Sequence, residues 1–513
     1  MNRFFKLLFS RISITLILII LQLSILVIWI WNLSEDFIYL YTFSLIIGLI
    51  MTIYIVSRPD NPSFKLAWLI PILLFPILGV LLYIFFGGHK LGRKLKKRIE
   101  KYYYDTINYL KQDEDIIKEI EKKDKTVASQ VKYISDLSTF PIYKNTSSKY
   151  LSSGEKFYEE LIKELKQAKK FIFMEYFIIE EGFMWNSILE ILKDKVKEGV
   201  EVRLIYDDVG CAQTLPKTYS EKLNKLGIKT LVFNQMLPVL SAVLNNRDHR
   251  KITIIDGHTA FTGGINLADE YINKIQKFGH WKDSAIMIKG EAVWSFTIMF
   301  LEVWSFSTNK KEVYEKYKFT KALICNEDYA MDGYVQPYGD SPFNNELVGE
   351  NIYLNMINKA KDYVYICTPY LIIDNELVTA LTLAAKSGVD VRIVTPHIED
   401  KWYIHIVTRA YYNQLIKYGV KIYEYTPGFI HSKIFVVDDY VATVGSINLD
   451  YRSLYLHFEC GVYLYNTSSV LEIKKDYENT LNISQRITIE DTRNVKWSNR
   501  FLRSIIRLFA PLL

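Results

Sequence analysis

Hydrophobic positions follow two regimes along this 513-residue chain. Up to about residue 88 they come as long runs, 12–31, 37–56 and 66–86. Each run has about 20 residues, the length at which a helix crosses a bilayer's hydrocarbon core, so transmembrane helices are predicted. The first run follows Arg3, Lys6 and Arg11, lacks a small-residue cleavage pattern and leads into another run, which marks an anchor rather than a signal peptide. Basic flanks before residue 12, at Arg58 and Lys65, and at 90–98 (KLGRKLKKR) favour the cytoplasmic side, whereas Glu35 and Asp36 mark the outer loop. Three full spans would leave 90–98 outside. Pro71 and Pro76 allow a kinked or re-entrant third segment and a cytoplasmic catalytic region instead.

Past residue 140 the rhythm changes to short apolar runs alternating with amphipathic stretches such as 155–169 and 185–198, the pattern of a β-sheet covered by helices. The pattern occurs twice. AKKFIFMEYFI (168–178) pairs with AKDYVYICTPYLI (360–372), GVEVRLIYD (199–207) with GVDVRIVTP (388–396), and LGIKTLVFN (226–234) with YGVKIYEYT (418–426). A duplicated α/β unit is expected. Five parts follow: an anchor (1–88), a basic juxtamembrane linker (89–140), a first unit (141–335), a second unit (336–490) and a basic amphipathic tail (491–513). The linker is read as a helix whose lysines meet anionic lipid, or as an ordinary solvated helix. The tail places Lys496, Arg500, Arg503 and Arg507 among Trp497, Phe501, Ile505 and Leu508, which suits a membrane surface or packing on the protein.

Each series ends in the stretch that carries the chemistry. Residues 249–266 read HRKITIIDGHTAFTGGIN and residues 431–448 read HSKIFVVDDYVATVGSIN. In both, His is followed by Lys at +2 and Asp at +7, and the stretch ends in Asn: His249, Lys251, Asp256 and Asn266, then His431, Lys433, Asp438 and Asn448. The apolar runs between Lys and Asp read as buried strands, on which His and Lys share a face. Such a pair makes a poor core and a good anion site. Displacing an alkoxide from a phosphodiester needs an in-line nucleophile, a proton for the leaving oxygen and positive charge around the equatorial oxygens. Two histidines supply the first two; two lysines, with the asparagines as neutral donors, supply the third.

The duplicated pattern resembles the phospholipase D superfamily, and its flanks resemble the bacterial cardiolipin synthase branch. HWKD (280–283), NLDYRSLYLHFE (448–459) and RLFAPLL (507–513) carry that second likeness. The resemblance implies two tandem phospholipase D-like units forming one pseudo-twofold α/β catalytic domain behind N-terminal transmembrane helices, in a multi-pass protein of the bacterial plasma membrane. It implies transfer of a phosphatidyl group between two phosphatidylglycerol molecules through a phosphohistidine, with no cofactor and no metal. His249 is then the nucleophile and His431 the acid–base. Asp256 and Asp438 belong to the motifs but look like structural supports, while Asp283 and Glu459 are the carboxylates expected to orient the histidines. Arg452 is a phosphate contact or a surface residue. His89, His258, His280, His397, His405 and His457 lack catalytic spacing and are read as structural or surface residues.

Composition adjusts this reading little. Half the residues are hydrophobic, and the formal net charge of +6 is modest. Cys211, Cys325, Cys367 and Cys460 are scattered without disulfide or zinc spacing. The strongest basic stretches lie beside the apolar runs, not beside the motifs, which favours anionic membrane lipid over nucleic acid as partner. Hydrolysis by a phospholipase D, transfer to another alcohol, a nuclease and a non-enzymatic scaffold are the competing readings. A phosphate-binding G-x4-G-K-[ST] loop and the acidic motif of CDP-lipid transferases do not occur.

Overall fold

The computed structural model describes residues 38–87, 101–235 apart from 104, 246–319, 332–342, 346–493 and 497–512, together with Ser24 and Ile28. The first half contributes β1 (Thr146–Leu151), β2 (Phe171–Tyr176), β3 (Glu201–Asp207), β4 (Lys229–Phe233), β5 (Lys251–Ile255), β6 (Thr259–Gly263), β7 (His280–Lys282) and β8 (Ala285–Gly290). All but β7 form a seven-stranded sheet in the order β1-β8-β6-β5-β2-β3-β4. The second half contributes β9 (Tyr334–Asp340), β10 (Tyr363–Cys367), β11 (Leu371–Ile372), β12 (Asp390–Pro396), β13 (Lys421–Tyr425), β14 (Gly428–Ile430), β15 (Ile434–Val437), β16 (Val441–Gly445), β17 (Leu449–Asp450), β18 (Glu459–Tyr465) and β19 (Ser484–Ile487). Its large sheet runs β9-β18-β16-β15-β10-β12-β13-β19, the same order with one strand added at the edge. The repeat seen in sequence is therefore a repeat of topology.

Alternation along the strands decides which side each residue faces. Phe173, Ile252 and Ile254 point to a core shared with Ile434, Val436, Val444 and Val462 of the other sheet. Their neighbours Ile172, Met174 and Ile255 pack outward against Leu161, Trp185 and Ile188 of the covering helices. In the second unit Val364, Ile366, Phe435 and Val437 likewise meet their own helices. The result is two sheets face to face with helices outside, which explains why β2 and β5 are buried at every position. The helix Val293–Thr308 is apolar on nearly all sides and lies in the shared core.

Two short parallel pairings cross between the units. β7 pairs with β14, setting Trp281 against Phe429, and Asp248 bridges to Phe458. Each strip precedes a motif histidine on one side and a carboxylate on the other.

The N-terminal part departs from expectation. Of the run 12–31 only Ser24 and Ile28 are described, and the basic stretch 90–98 lies outside the described residues. Ile38–Ser57 is helical, with side chains described from residue 42. The third run is not one helix: it breaks at Phe75 into Pro62–Leu74 and Pro76–Phe86, because Pro76 starts a new helix and Pro71 already removes an interior donor. Among the described residues no helix is long and apolar enough to cross a membrane, so the expectation of several transmembrane spans is not supported. Helices Glu114–Lys123 and Lys125–Ser138 pack on the second unit through Ile120, Val131 and Ile134.

Candidate active site

The motif histidines sit two and three residues before the central strands β5 and β15, where cross-unit pairing fixes their backbone. His249 N–H donates to Phe458 O (2.9 Å) and His431 N–H to Lys282 O (2.7 Å). The same strips deliver the orienting carboxylates from the opposite unit. Glu459 Oε1 accepts from His249 Nδ1 at 2.8 Å, and Asp283 Oδ2 accepts from His431 Nδ1 at 2.7 Å. Both carboxylates are fully buried. With Nδ1 of each ring committed to a carboxylate, Nε2 is the ring nitrogen left for other chemistry.

Lys251 and Lys433 turn back so that each Nζ donates to the carbonyl of its own motif histidine. Both are about as buried as core residues, at 1% and 2% exposure. Burial lowers the Lys251 ammonium to about 8 and the Lys433 ammonium to about 7, with Glu459 and Asp283 partly offsetting the loss of water. Burial, then Lys251, Lys433 and His431, hold His249 well below its ordinary value. His431 is lowered by burial and Lys433 to about 4, its fall limited by Asp283. That each group feels those of the other unit makes the two half-sites one site, in which two ammonium groups stand with two carboxylates.

The aspartates of the motifs are elsewhere. Asp256 and Asp438 lie at the far ends of β5 and β15, with φ of 53° and 49°, about 23 Å along the chain from the histidines at ~3.3 Å per residue. Asp256 accepts from the backbone N–H groups of Lys169, Lys170 and Phe171, and Asp438 from those of Lys361, Asp362 and Tyr363. Each carboxylate thus ties a hairpin turn to the start of the neighbouring strand. Asn266 accepts from Ile178 N–H (3.0 Å) and donates to Tyr271 Oη (2.8 Å). Asn448 donates to Asp450 (3.2 Å) and leaves its other amide atom without a protein partner. Arg452 is half-buried in the short helix Tyr451–Tyr455.

Several residues at the site were not singled out from sequence. His457, read as structural or surface, is buried with its ring centroid 5.5 Å from that of His249 and its Nδ1 3.7 Å from Glu459 Oε1. Its counterpart is Trp281, whose Nε1–H reaches Asp283 Oδ2 at 3.5 Å. The signal was available, since both stand two residues before the orienting carboxylate. Ser446 donates to Glu459 Oε2, while Gly264 at the matching position leaves room for Asp283: a Cβ there would lie 2.1 Å from Asp283 Oδ1. Tyr271 and Trp281 pack on the His431 ring at 5.6 and 5.2 Å, and Phe177 on His249 at 5.0 Å. His89 and Cys325 lie outside the described residues; Cys211, Cys367 and Cys460 are buried free thiols. His249, His457 and Glu459 bring three donor atoms within 4.8 Å, but the surrounding lysines oppose a cation there.

A family model described as cardiolipin synthase, PLD-like domain, matches residues 161–293 and 353–481, and one described as phospholipase D-nuclease N-terminal matches 45–88. A Streptococcus mutans protein of uncharacterised function is 46% identical over 90% of this chain and 99% of its own length. A cardiolipin synthase of Alkalihalophilus pseudofirmus is 35% identical over 92% of this chain and 93% of its own. The crystal structure of Haemophilus influenzae phosphatidylserine synthase shares the fold, with a TM-score of 0.58 at 14% identity over 75% of this chain and all of that one. With both halves of the duplicated site matched and the likeness extending over nine-tenths of its length, the chain belongs to the cardiolipin synthase family of phospholipase D-like proteins.

Proposed function

We propose that the protein is a phosphatidyltransferase that joins two phosphatidylglycerol molecules into cardiolipin and releases glycerol. The observation that carries this reading is the pair of imidazoles, each aimed by a buried carboxylate of the opposite unit, in a site that also holds the ammonium groups of Lys251 and Lys433.

His249 attacks phosphorus through Nε2. The P–O bond to the headgroup glycerol breaks as the N–P bond forms, and His431, entering this step as the imidazolium with Asp283 on its Nδ1–H, gives its Nε2 proton to the departing alkoxide. A second phosphatidylglycerol then presents its hydroxyl. His431 removes that proton and the oxygen displaces His249, restoring the free ring. The P–O bond broken is replaced by one formed, so the transfer needs no external energy source. The assignment of roles follows the family resemblance: burial favours the neutral form of both rings, and each has a carboxylate that can support its protonated form. Lys251 and Lys433 neutralise the equatorial oxygens, and a bound phosphodiester in turn holds their protons on. Lipid substrates imply a bilayer nearby. Exposed Phe43, Leu49, Ile50, Ile53, Leu73 and Leu74 on the N-terminal helices support contact with one.

The test is incubation of the full chain with phosphatidylglycerol vesicles and EDTA, following cardiolipin, phosphatidic acid and glycerol by mass spectrometry. Cardiolipin with matching glycerol, lost in His249→Ala and His431→Ala, is the expected result. Phosphatidic acid alone would make the protein a hydrolase with the same machinery, and no lipid product from folded protein would overturn the lipid reading.

A further inference from the structure

A second cavity, of about 320 Å3, lies apart from the histidines where four distant segments meet. Helix Pro62–Leu74 supplies Ser63 and Leu66, the start of helix Asn375–Lys386 supplies Asn375, helix Trp402–Lys417 supplies Tyr411 and Gln414, and the tail helix Trp497–Leu508 supplies Ser504 and Arg507. Its lining is mixed: Ser63, Asn375, Gln414 and Arg507 contribute polar groups, and Leu66, Ile373, Val378 and Leu508 apolar ones.

Arg507 gives the cavity its sign. Its guanidinium lies over the Tyr411 ring at 4.2 Å and donates to Gln414 Oε1 at 2.7 Å, and no carboxylate stands within ion-pair distance among the described residues. Arg503, one turn earlier, faces Arg409, whose own charge is already met by Glu424. Asp374, also on the lining, is engaged elsewhere: it accepts from Asn61 Nδ2 (3.1 Å) and Tyr455 Oη (2.8 Å) and caps its helix at Leu377 N–H. Arg507 is therefore the charged group of the lining with donors left for an anion, beside a carboxylate whose oxygens are already taken.

The surroundings select the kind of anion. Leu66 and Leu508 are both lining residues and exposed apolar residues, and they continue into Leu73, Leu74 and Phe75 on one helix and Phe501, Ile505 and Leu512 on the tail. A free phosphate would leave that apolar margin in water, whereas a phospholipid covers it with its acyl chains. We propose that this cavity holds the headgroup of one anionic phospholipid as a resident ligand, its phosphate on Arg507 and its chains along the exposed faces of helix Pro62–Leu74 and the tail. The occupant rests beside the second motif, because Phe64 packs edge-on against Tyr451 and Tyr455, a few residues past Asn448. The proposal deepens the lipid reading of the active site and rests on it for the choice of a glycerol-type headgroup.

The experiment uses the full chain carrying His249→Ala, so that turnover does not consume the ligand. A phosphatidylglycerol with a photoreactive group near its headgroup is crosslinked and the labelled peptides are mapped. Labelling of 62–74 and 497–512 is expected. It should fall at least tenfold in Ser504→Phe, which fills the cavity from its exposed rim, and in Arg507→Gln, which removes the charge. A phosphatidylcholine probe should label at least tenfold less, and soluble glycerol phosphate should not compete. Equal labelling in both variants, with unchanged circular dichroism, would overturn the cavity assignment; equal labelling by phosphatidylcholine, or competition by glycerol phosphate, would overturn the anionic lipid. Failure of the activity reading is separate: wild type would then make no cardiolipin, whatever the crosslinks show.

Discussion

The two half-sites share a plan but not its materials. Around His431 the carboxylate is short, the matching backbone position is Gly264, and the ring is walled by Tyr271 and Trp281. Around His249 the carboxylate is one methylene longer and is held through both oxygens, by the histidine and by Ser446. Trp281 is replaced by His457 there, and behind it Arg250 joins Glu175 (2.6 Å) and Asp248 (3.1 Å) in a buried charge network. The corresponding place behind His431 holds the hydroxyl pair Ser284 and Ser432 in place of Arg250 and its carboxylates. Duplication supplied two equivalent imidazoles, and their surroundings have since diverged in the way separate roles would require.

The largest test of that division removes each histidine in turn. Both alanine variants should lose roughly 10⁴-fold or more on phosphatidylglycerol. With an aryl phosphodiester, whose leaving group needs no proton, His431→Ala should recover most of its first-step burst while His249→Ala stays inactive. Recovery in His249→Ala instead would reverse the roles.

Next in size are the carboxylates. Asp283→Asn and Glu459→Gln each break the fixed ring tautomer and should cost about 10³- to 10⁴-fold in kcat with little change in KM. Gly264→Ser, which copies the other half, should come close to the Asp283→Asn loss because the new Cβ overlaps that carboxylate. Ser446→Gly removes one hydrogen bond and should cost under about tenfold. Equal effects would mean that the halves are interchangeable.

The smallest effects concern protons. Above about pH 7 to 8 the Lys433 and Lys251 ammonium groups lose their charge, so activity should fall with rising pH, and Lys433→Arg should move that limb upward. Stability has the opposite slope. A lysine whose folded value is about 7 binds fewer protons than in the unfolded chain between pH 7 and ~10.4, so its contribution grows more favourable as pH rises through that window. Thermal melts of wild type and Lys433→Met should therefore converge as pH rises from 7 to 9.

Much of the site was legible because its chemistry is local in sequence. His249 and Lys251, like His431 and Lys433, are two residues apart, and a buried strand places them together without reference to the rest of the chain. Asp283 and Glu459 were legible as carboxylates in motifs, but not as crossed partners: which histidine each serves depends on β7 pairing with β14 and Asp248 with Phe458. His457 was passed over because only alignment with Trp281 across the units reveals its place. In the N-terminal part, hydropathy measured the length of the third run but not its continuity, which Pro71 and Pro76 decide.

The crossed strips have an evolutionary and engineering consequence. Because each half carries the carboxylate that serves the other half's histidine, neither is an enzyme in isolation, and a single ancestral copy could have worked only as a symmetric pair. Fusing the copies let each change without its twin changing too. The same crossing makes the chain a natural split reporter: two separately expressed halves, cut between Tyr317 and Tyr334, carry complementary deficits. Activity that returns on mixing would report their reassembly directly.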